Sequence, residues 1–238
     1  MEHQTVSQAG WTKARKALLK REKELTRLMD RVAEERRALP WVRVEKDYVF
    51  EGRDGKETLS DLFGGNSQLI VYHFMFAPGW EEGCSGCSFI ADHIDGANLH
   101  LAHHDVTLLA VSRAPWRELE PFKTRMGWKF KWVSSASSDF NYDFHVTASP
   151  EQVAKGEAEY NYEKTDEPGE EPGVSVFYKD DEGNIFHTYS TYARGGDILI
   201  GAHNYLDMTP KGRNEKSTMD WMRHHDRYED ARKACPHC

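Results

Sequence analysis

The sequence predicts an α/β fold in which a central sheet is flanked by helices. Two apolar runs, residues 68–76 and 105–112, are bounded by turn-forming residues, which is typical of strands covered on both faces. Between them lie a loop at 77–83 and a helical pattern over 87–104. Strand, helix and strand in this order indicate a βαβ unit with parallel strands and a right-handed crossover.

The composition supports a folded protein and argues against several classes of function. Of the 238 residues, 39% are apolar and 12% aromatic, which is enough for a substantial core. A formal net charge of -8 disfavours nucleic acid as the main partner, because phosphate binding needs a basic face. No apolar run approaches the ~18 residues of a membrane span. Residues 1–20 lack the apolar core of a secretory signal, so we expect a cytoplasmic protein.

Residues 1–40 are predicted to form a helical extension. Apolar residues recur at three- to four-residue spacing over 8–39, among them Trp11, Leu18 and Leu25, while the remaining positions are densely charged. This pattern favours a solvated helix that lays one apolar stripe on the body or on a second subunit, so a homo-oligomer formed through the helix is one expectation. A basic arm for nucleic acid is the alternative, but interspersed acidic residues dilute its charge.

Residues 41–209 are predicted to form the α/β domain. Besides the βαβ unit, we expect strands over 42–50, a short helical segment at 58–63, a helix over 115–126 that Pro121 would break or kink, a strand at 129–133, a hairpin of 174–178 and 185–189, and a last helix over 197–206. Residues 151–172 are acidic and poor in aliphatic side chains, which indicates a surface insertion. Residues 210–238 are expected to be a polar, mobile tail.

The four cysteines fall into two C-x-x-C pairs, Cys84/Cys87 and Cys235/Cys238. The first pair lies between a buried strand and a helix, the context in which a dithiol is expected to be redox active. Unpaired N–H groups and partial positive charge at a helix N-terminus favour thiolate over thiol. Cys84, at the more exposed end, is therefore the predicted attacking thiolate, and Cys87 is the predicted resolving thiol.

A structural zinc site is the main alternative from a different class of function. Cys84, Cys87, Cys235 and Cys238 supply the ligands of an all-cysteine tetrahedral site, which would make the protein a zinc-stabilised binding module without turnover. Zinc ribbons usually place their pairs about 15–20 residues apart, however, whereas most of the domain separates these two. The second pair could pass electrons to the first, close a shared metal site, or have no function. No helix follows it in the sequence to stabilise a thiolate.

Motifs distributed along the chain resemble those of a known family. They are LPWVR at 39–43, QLIVYHFM at 68–75, CSGCS at 84–88, VSRAP at 111–115, SDFNYD at 138–143 and HTYSTY at 187–192. YVFEGRDG at 48–55 and LSDLFG at 59–64, followed by the strand to Phe76 and the cysteine pair, resemble the entrance to a thioredoxin-like domain. From Trp11 to about Tyr228 the chain resembles a largely bacterial family of unknown function, predicted to be dithiol–disulfide oxidoreductases. That family is similar to the peroxiredoxin-related branch of thioredoxin-like proteins.

The resemblance implies a thioredoxin-like fold with Cys84 as nucleophile and Cys87 as resolving thiol. Thioredoxin-like proteins often place a cis-proline before the strand that faces the dithiol, and Pro172 is the positional candidate. An ordinary loop proline is the alternative, since cis is a minority state. Trp80 resembles the tryptophan near the thioredoxin motif but stands four positions before Cys84 rather than adjacent to it.

Peroxide reduction is a less favoured alternative. The peroxiredoxin motif needs a proline and a threonine or serine at fixed offsets before its reactive cysteine, so that a hydroxyl helps to hold the peroxide. Here Pro78 lies six positions before Cys84, and the third position before it is Glu81, which cannot donate a hydrogen bond when ionised.

The sequence therefore predicts a thiol–disulfide oxidoreductase without a cofactor, with a protein or small-molecule disulfide as substrate and a separate electron donor. Neither nucleic acid nor a membrane is an expected partner. A further alternative is a lapsed redox site, with the helix serving assembly. Weaker candidate positions are the histidines His100, His103, His104, His224 and His225 as metal ligands, and Arg113, Tyr189 and Tyr192 as the lining of a substrate groove.

Overall fold

The computed structural model describes residues 3–228, so Cys235 and Cys238 lie outside the described residues. The chain divides into two compact units, Met1–Pro40 and Trp41–Cys238. Within the described range, none of the helices combines the length and apolar character needed to cross a membrane.

The first unit consists of helix α1, Gln8–Arg37, as the apolar spacing predicted. Ser7 caps it by accepting a hydrogen bond from the Gly10 N–H at 3.2 Å. Arg36 and Arg37 lie in its last turn, where positive charge interacts favourably with the helix dipole. No side chain of α1 is buried. The expected oligomer through this helix stays a prediction.

The second unit is an α/β domain. Its strands are β1 Val42–Arg43, β2 Val49–Gly52, β3 Gly55–Thr58, β4 Gln68–His73, β5 Val106–Ser112, β6 Trp132–Ser134, β7 Thr147–Ala148, β8 Glu159–Tyr160, β9 Glu163–Lys164, β10 Gly169–Glu170, β11 Gly173–Lys179 and β12 Ile185–Tyr192. Its α-helices are α2 Leu59–Leu62, α3 Ser85–Ala91, α4 Ile94–Ala102, α5 Trp116–Arg125, α6 Phe140–Asp143, α7 Pro150–Ala154 and α8 Gly201–Asp207. Short 3-10 helices span Ala193–Leu199 and His225–Arg227.

The main sheet has eight strands in the order β1-β12-β11-β4-β5-β6-β2-β3. At its centre β4 and β5 run parallel, joined by α3 and α4, as the predicted βαβ unit requires. The hairpin of β11 and β12 adds to the other side of β4 in antiparallel orientation. The order β12-β11-β4-β5, with its parallel pair followed by an antiparallel hairpin, is that of a thioredoxin-like fold, which confirms the predicted fold class.

Side chains that alternate along the central strands build one core on each face of the sheet. On β4, Leu69 and Val71 point to one face, whereas Ile70 and Tyr72 point to the other. The Leu69 face packs against residues of α2 and α6. The Tyr72 face packs against α3, α4 and α5 and contains Cys87. The dithiol therefore belongs to the face that carries the crossover helices.

Several elements differ from the sequence expectation in extent. The helix expected over 87–104 is divided into two helices, α3 and α4. The division lies at His93, whose N–H bonds the Ile90 carbonyl three residues earlier, a tighter turn than that of an α-helix. Helix α5 continues through Pro121, which lies on its exposed side, where water can bond the carbonyl left without a donor.

The two segments expected to be peripheral both contribute to the interior. Glu170, in the acidic segment 151–172, is buried beside β7, so this segment is more than a surface insertion. Residues 210–228 differ from the mobile tail that was expected, since Met222 and His224 are buried. Three apolar side chains within a polar stretch, Met219, Trp221 and Met222, were the sequence feature that could have indicated this packing.

Candidate dithiol site

The loop between β4 and α3 brings Cys84 back to the end of the central strand. Its backbone N–H donates to the Met75 carbonyl at 3.1 Å, and Cys84 is the N-cap of α3. The tight approach depends on Gly83, because a Cβ there would lie 2.6 Å from Cε1 of Phe74 and 2.9 Å from Cε1 of Phe122. The glycine therefore sets the position of the first cysteine.

Cys84 is half-buried, and its surroundings favour the thiolate. A hydrogen bond from the Cys87 side chain is the largest influence, and the pKa of Cys84 is lowered to about 6 although burial opposes the shift. The N–H groups of Gly86 and Cys87 contribute further, without forming a full capping bond to the sulfur. At neutral pH Cys84 is therefore mostly ionised.

Cys87 differs from Cys84 in both burial and charge state. It is only 2% exposed, and burial raises its pKa well above the usual value for a thiol. Its Sγ accepts a hydrogen bond from the Met75 N–H at 3.4 Å. The Tyr72 hydroxyl, also fully buried, lies against Cys87 without the geometry of a hydrogen bond. The expected difference in exposure between the two thiols is thus present, while their chemical roles stay a prediction.

A cavity of about 340 Å³ opens beside Cys84. Its apolar walls include Met75, Ile90, Val174 and Met219. Its other lining residues come from three places: the helix turn at Gly86, the segment Glu171, Pro172 and Gly173, and the residues around the end of β12, which include Tyr192, Arg194 and Asp197. The cavity is large enough to admit a small substrate or an extended side chain.

Pro172 lies where the sequence placed it, on the wall of this cavity directly before β11. No peptide bond in the described residues is cis, so the cis form considered for Pro172 is wrong. The Pro172 carbonyl accepts a hydrogen bond from the Tyr160 hydroxyl at 2.8 Å. The preceding residue, Glu171, was not predicted to belong to the site, because it stands in a stretch of similar acidic residues with nothing to distinguish it.

The segment that carries Glu171 is fixed by a buried ion pair. Arg113 donates from Nε to Glu170 at 2.6 Å and from a terminal nitrogen to the Tyr142 hydroxyl at 2.6 Å. The Thr147 hydroxyl donates to the second oxygen of Glu170 at 2.8 Å. Arg113 therefore positions one wall of the cavity and does not line it. Tyr192 does line it, whereas Tyr189 does not.

The segment 216–227 packs next to the first turn of α3. Met219 lines the cavity, and a Cβ added to Gly86 would lie 3.6 Å from Cε of Met222. His224 is buried and donates from Nε2 to the Gly83 carbonyl at 2.9 Å. Asp226 accepts a hydrogen bond from Nε of Arg125 at 2.7 Å. Residues far apart in sequence thus complete the dithiol site.

The remaining candidate positions do not converge on this site. Trp80 is 40% exposed and is absent from the cavity wall. Over the described range, no group of three or more histidine, cysteine or acidic side chains is arranged to hold a metal ion. The zinc site with Cys235 and Cys238 lies partly outside that range. Glu81 is exposed on the loop before Cys84, so no hydroxyl stands at the position that peroxide binding requires.

Comparisons with known proteins give a family and a set of distant structures. The family model described as "Bacterial protein of unknown function (DUF899)" matches residues 1–228. No match was found among curated proteins.

Three of the similar solved structures come from different bacteria. A cysteine-to-serine mutant of PrxQ from Xylella fastidiosa is 15% identical with a TM-score of 0.44, over 66% of this chain and 88% of that one. Peroxidoxin BcpB from Mycobacterium tuberculosis is 13% identical with a TM-score of 0.46, over 71% and 97%. A putative thiol:disulfide interchange protein DsbE from Chlorobium tepidum is 13% identical with a TM-score of 0.40, over 68% and 93%.

Proposed function

The chain belongs to the bacterial family of unknown function DUF899, and we propose that it is a thiol–disulfide oxidoreductase whose nucleophile is the Cys84 thiolate. The observation that carries this proposal is the placement of the two thiols: Cys84 is half-buried at the N-terminus of α3 beside the cavity, and Cys87 is buried in the first turn of that helix. The pKa of Cys84 is lowered to about 6, whereas burial raises that of Cys87. A thiolate beside a cavity, with a protonated thiol three residues away, is the arrangement that two-step disulfide exchange requires.

In the first step the Cys84 thiolate attacks one sulfur of a substrate disulfide in the cavity. A bond forms between Cys84 and that sulfur, the substrate disulfide breaks, and the other half leaves as a thiolate that takes a proton from water. The Cys87 thiol no longer hydrogen-bonds a thiolate once Cys84 is in the mixed disulfide, which removes one of the interactions that raise its pKa.

In the second step Cys87 loses its proton to solvent and attacks Cys84 Sγ. The Cys84–Cys87 disulfide forms, and the remaining half of the substrate leaves as a thiolate and is protonated. Two electrons pass from the protein dithiol to the substrate, so an external thiol must reduce the protein disulfide before the next cycle. A role of Cys235 and Cys238 in that reduction stays a prediction.

The test compares wild type with Cys84→Ser in the reduction of insulin and of 2-hydroxyethyl disulfide, with dithiothreitol as electron donor. We expect the variant to show only the uncatalysed rate. The double variant Cys235→Ser/Cys238→Ser is the matched control, since it removes the other dithiol and should retain exchange when dithiothreitol supplies electrons. Undiminished exchange in Cys84→Ser would contradict the proposal.

Metal analysis provides an independent test of the zinc alternative. Protein purified without chelator should contain no stoichiometric zinc, and Cys84 should react rapidly with a thiol reagent. About one tightly held zinc per chain together with unreactive cysteines would favour the binding module instead.

A further inference from the structure

We propose that Glu171 is a specificity-determining residue that disfavours anionic disulfides at Cys84, so that the preferred substrates of this site are neutral or cationic disulfides. This inference rests on the proposed exchange reaction and adds the class of substrate to it. Four observations support it: the position of Glu171, its fixed backbone, its lack of a counter-ion, and its effect on Cys84.

Glu171 is half-buried on the wall of the cavity into which Cys84 also opens. Its backbone is held on both sides, because its N–H donates to the Val146 carbonyl at 2.9 Å and the Pro172 carbonyl accepts from Tyr160. The buried pair of Glu170 and Arg113 anchors the preceding residue. The Glu171 side chain is therefore carried by a backbone that hydrogen bonds hold in place on both sides.

Among the described residues that line the cavity, Glu171 has a carboxylate without a cationic partner. Two other charged side chains line it, Arg194 and Asp197, and they pair with each other at 3.1 Å. Arg213 lies 3.8 Å from the same Asp197 carboxylate. Among the described residues, no cation lies within ion-pair distance of Glu171. Glu171 is thus the carboxylate of the cavity that no cation neutralises, and it stands between apolar walls beside the negative charge of the Cys84 thiolate itself.

This charge reaches the reacting sulfur. The hydrogen bond from Cys87 lowers the pKa of Cys84, whereas burial and, to a smaller degree, the Glu171 carboxylate raise it. Burial also raises the pKa of Tyr160, and Glu171 adds to that shift. Burial and the neighbouring Glu167 raise the pKa of Glu171 itself. A disulfide in contact with Cys84 Sγ must place its substituents in the same cavity, where the surrounding apolar side chains screen charge less than water does. A carboxylate on the substrate is therefore repelled, and an ammonium group is attracted.

The experiment compares three small disulfides of similar length and different charge: cystamine, 2-hydroxyethyl disulfide and dithiodipropionate. The second-order rate constant of Cys84 with each is measured at mildly alkaline pH and divided by that of free dithiothreitol with the same disulfide. For wild type we expect cystamine to exceed dithiodipropionate by about tenfold in this ratio, a size typical of a nearby unpaired charge. Added salt should reduce the difference.

Two variants make the test specific to Glu171. Glu171→Gln should bring the relative rate constants for cystamine and dithiodipropionate close to each other, and Glu171→Asp should retain the preference. Glu163→Gln is the matched control, because Glu163 is exposed, does not line the cavity and is not among the groups that shift the pKa of Glu171. It should discriminate like wild type.

The outcomes separate this inference from the proposed function. If wild type fails to react with 2-hydroxyethyl disulfide, the exchange reaction itself is contradicted. If it reacts with all three disulfides at the same relative rate, or if Glu171→Gln discriminates as strongly as wild type, the role of Glu171 is overturned while the exchange reaction stands.

Discussion

Two consecutive residues of β4, Tyr72 and His73, occupy opposite faces of the sheet. Both carry buried polar groups, and the surroundings of these groups differ between the two faces. The Tyr72 hydroxyl lies against Cys87 without hydrogen-bond geometry. His73 instead bonds through Nε2 to the Ser175 hydroxyl at 2.8 Å, and Ser175 continues to Ser190 at 2.8 Å. His73 Nδ1, like the Tyr72 hydroxyl, has no hydrogen-bond partner among the described residues. The Tyr72 face places its buried hydroxyl next to Cys87, whereas the opposite face links Nε2 of its histidine to two serine hydroxyls.

The two faces differ in the charge state that their surroundings favour. Burial lowers the pKa of His73 to about 3, so this imidazole stays neutral and stacks on Phe140 and Phe144. The Cys84 face holds groups whose charges influence one another, and it opens into a cavity where a substrate can reach them. The opposite face is a structural core. Four principal substitutions, each paired with a second variant for contrast, test this distinction, and they are arranged here from the largest expected effect to the smallest.

Cys87→Ala should give the largest effect and stop the reaction after its first step. The mixed disulfide on Cys84 then has no internal thiol to release it, and an external thiol is at least about 100-fold less effective than a positioned one. The pKa of Cys84 should also rise, since its main hydrogen-bond donor is lost. Mass spectrometry of the trapped adduct and thiolate absorbance against pH measure the two effects.

A substitution on the opposite face of the sheet should neither stop the reaction nor raise the pKa of Cys84. Ser175→Ala, which breaks the polar chain beside His73, should leave both turnover and the pKa of Cys84 as in wild type. If it slows exchange as much as Cys87→Ala, the two faces are not functionally distinct.

His73 should make the opposite face sensitive to acid. The unfolded chain binds a proton on this histidine below about pH 6.5, whereas the native protein does so only near pH 3. Stability is therefore complete above pH 6.5 and falls as the pH decreases towards 3, by about 1.4 kcal/mol per pH unit for this group.

Denaturant unfolding at several pH values measures that dependence. His73→Phe, which keeps an aromatic ring beside Phe140, should reduce the loss of unfolding free energy on acidification. The exposed His103→Phe is the control and should leave the loss unchanged. Equal acid dependence in wild type and His73→Phe would show that this buried histidine does not govern it.

Glu171→Gln should lower the pKa of Cys84 below its wild-type value of about 6, because the carboxylate opposes formation of the thiolate. Thiolate absorbance against pH, with Glu163→Gln as reference, gives the measurement. An unchanged or raised pKa would mean that Glu171 does not act on Cys84 through its charge.

Gly86→Ala should give the smallest effect. It tests whether the first turn of α3 has room for one more methyl group. The added Cβ would lie 3.7 Å from Cys84 Sγ and 3.6 Å from Cε of Met222, which are ordinary contacts. Alanine favours the helix by about 0.5–1 kcal/mol, so a slight rise in thermal midpoint is expected. Gly83→Ala is the contrasting variant, since its close contacts with Phe74 should destabilise the protein. Comparable losses in both would contradict this description of the site.

The sequence predicted those parts of the molecule that local patterns determine. Apolar runs and turn residues defined β4 and β5, and the spacing of Cys84 and Cys87 between them placed the dithiol at the start of a helix. The walls of the cavity could not be predicted in this way. Glu171 resembles its acidic neighbours until the Arg113–Glu170 pair fixes its position, and Met219 contributes only through contacts distant in sequence.

The position of His224 on the Gly83 carbonyl also bears on how the protein is made. The two residues are 141 positions apart, so a growing chain exposes its cysteines long before the segment that packs beside them has been synthesised. At about 5–20 residues per second, that interval lasts on the order of ten to thirty seconds. Throughout it, the nascent dithiol lacks Met219 and His224 and meets oxidants and other nascent thiols directly. Formation of the complete cavity therefore ends the interval in which the nascent dithiol is exposed to unwanted oxidation.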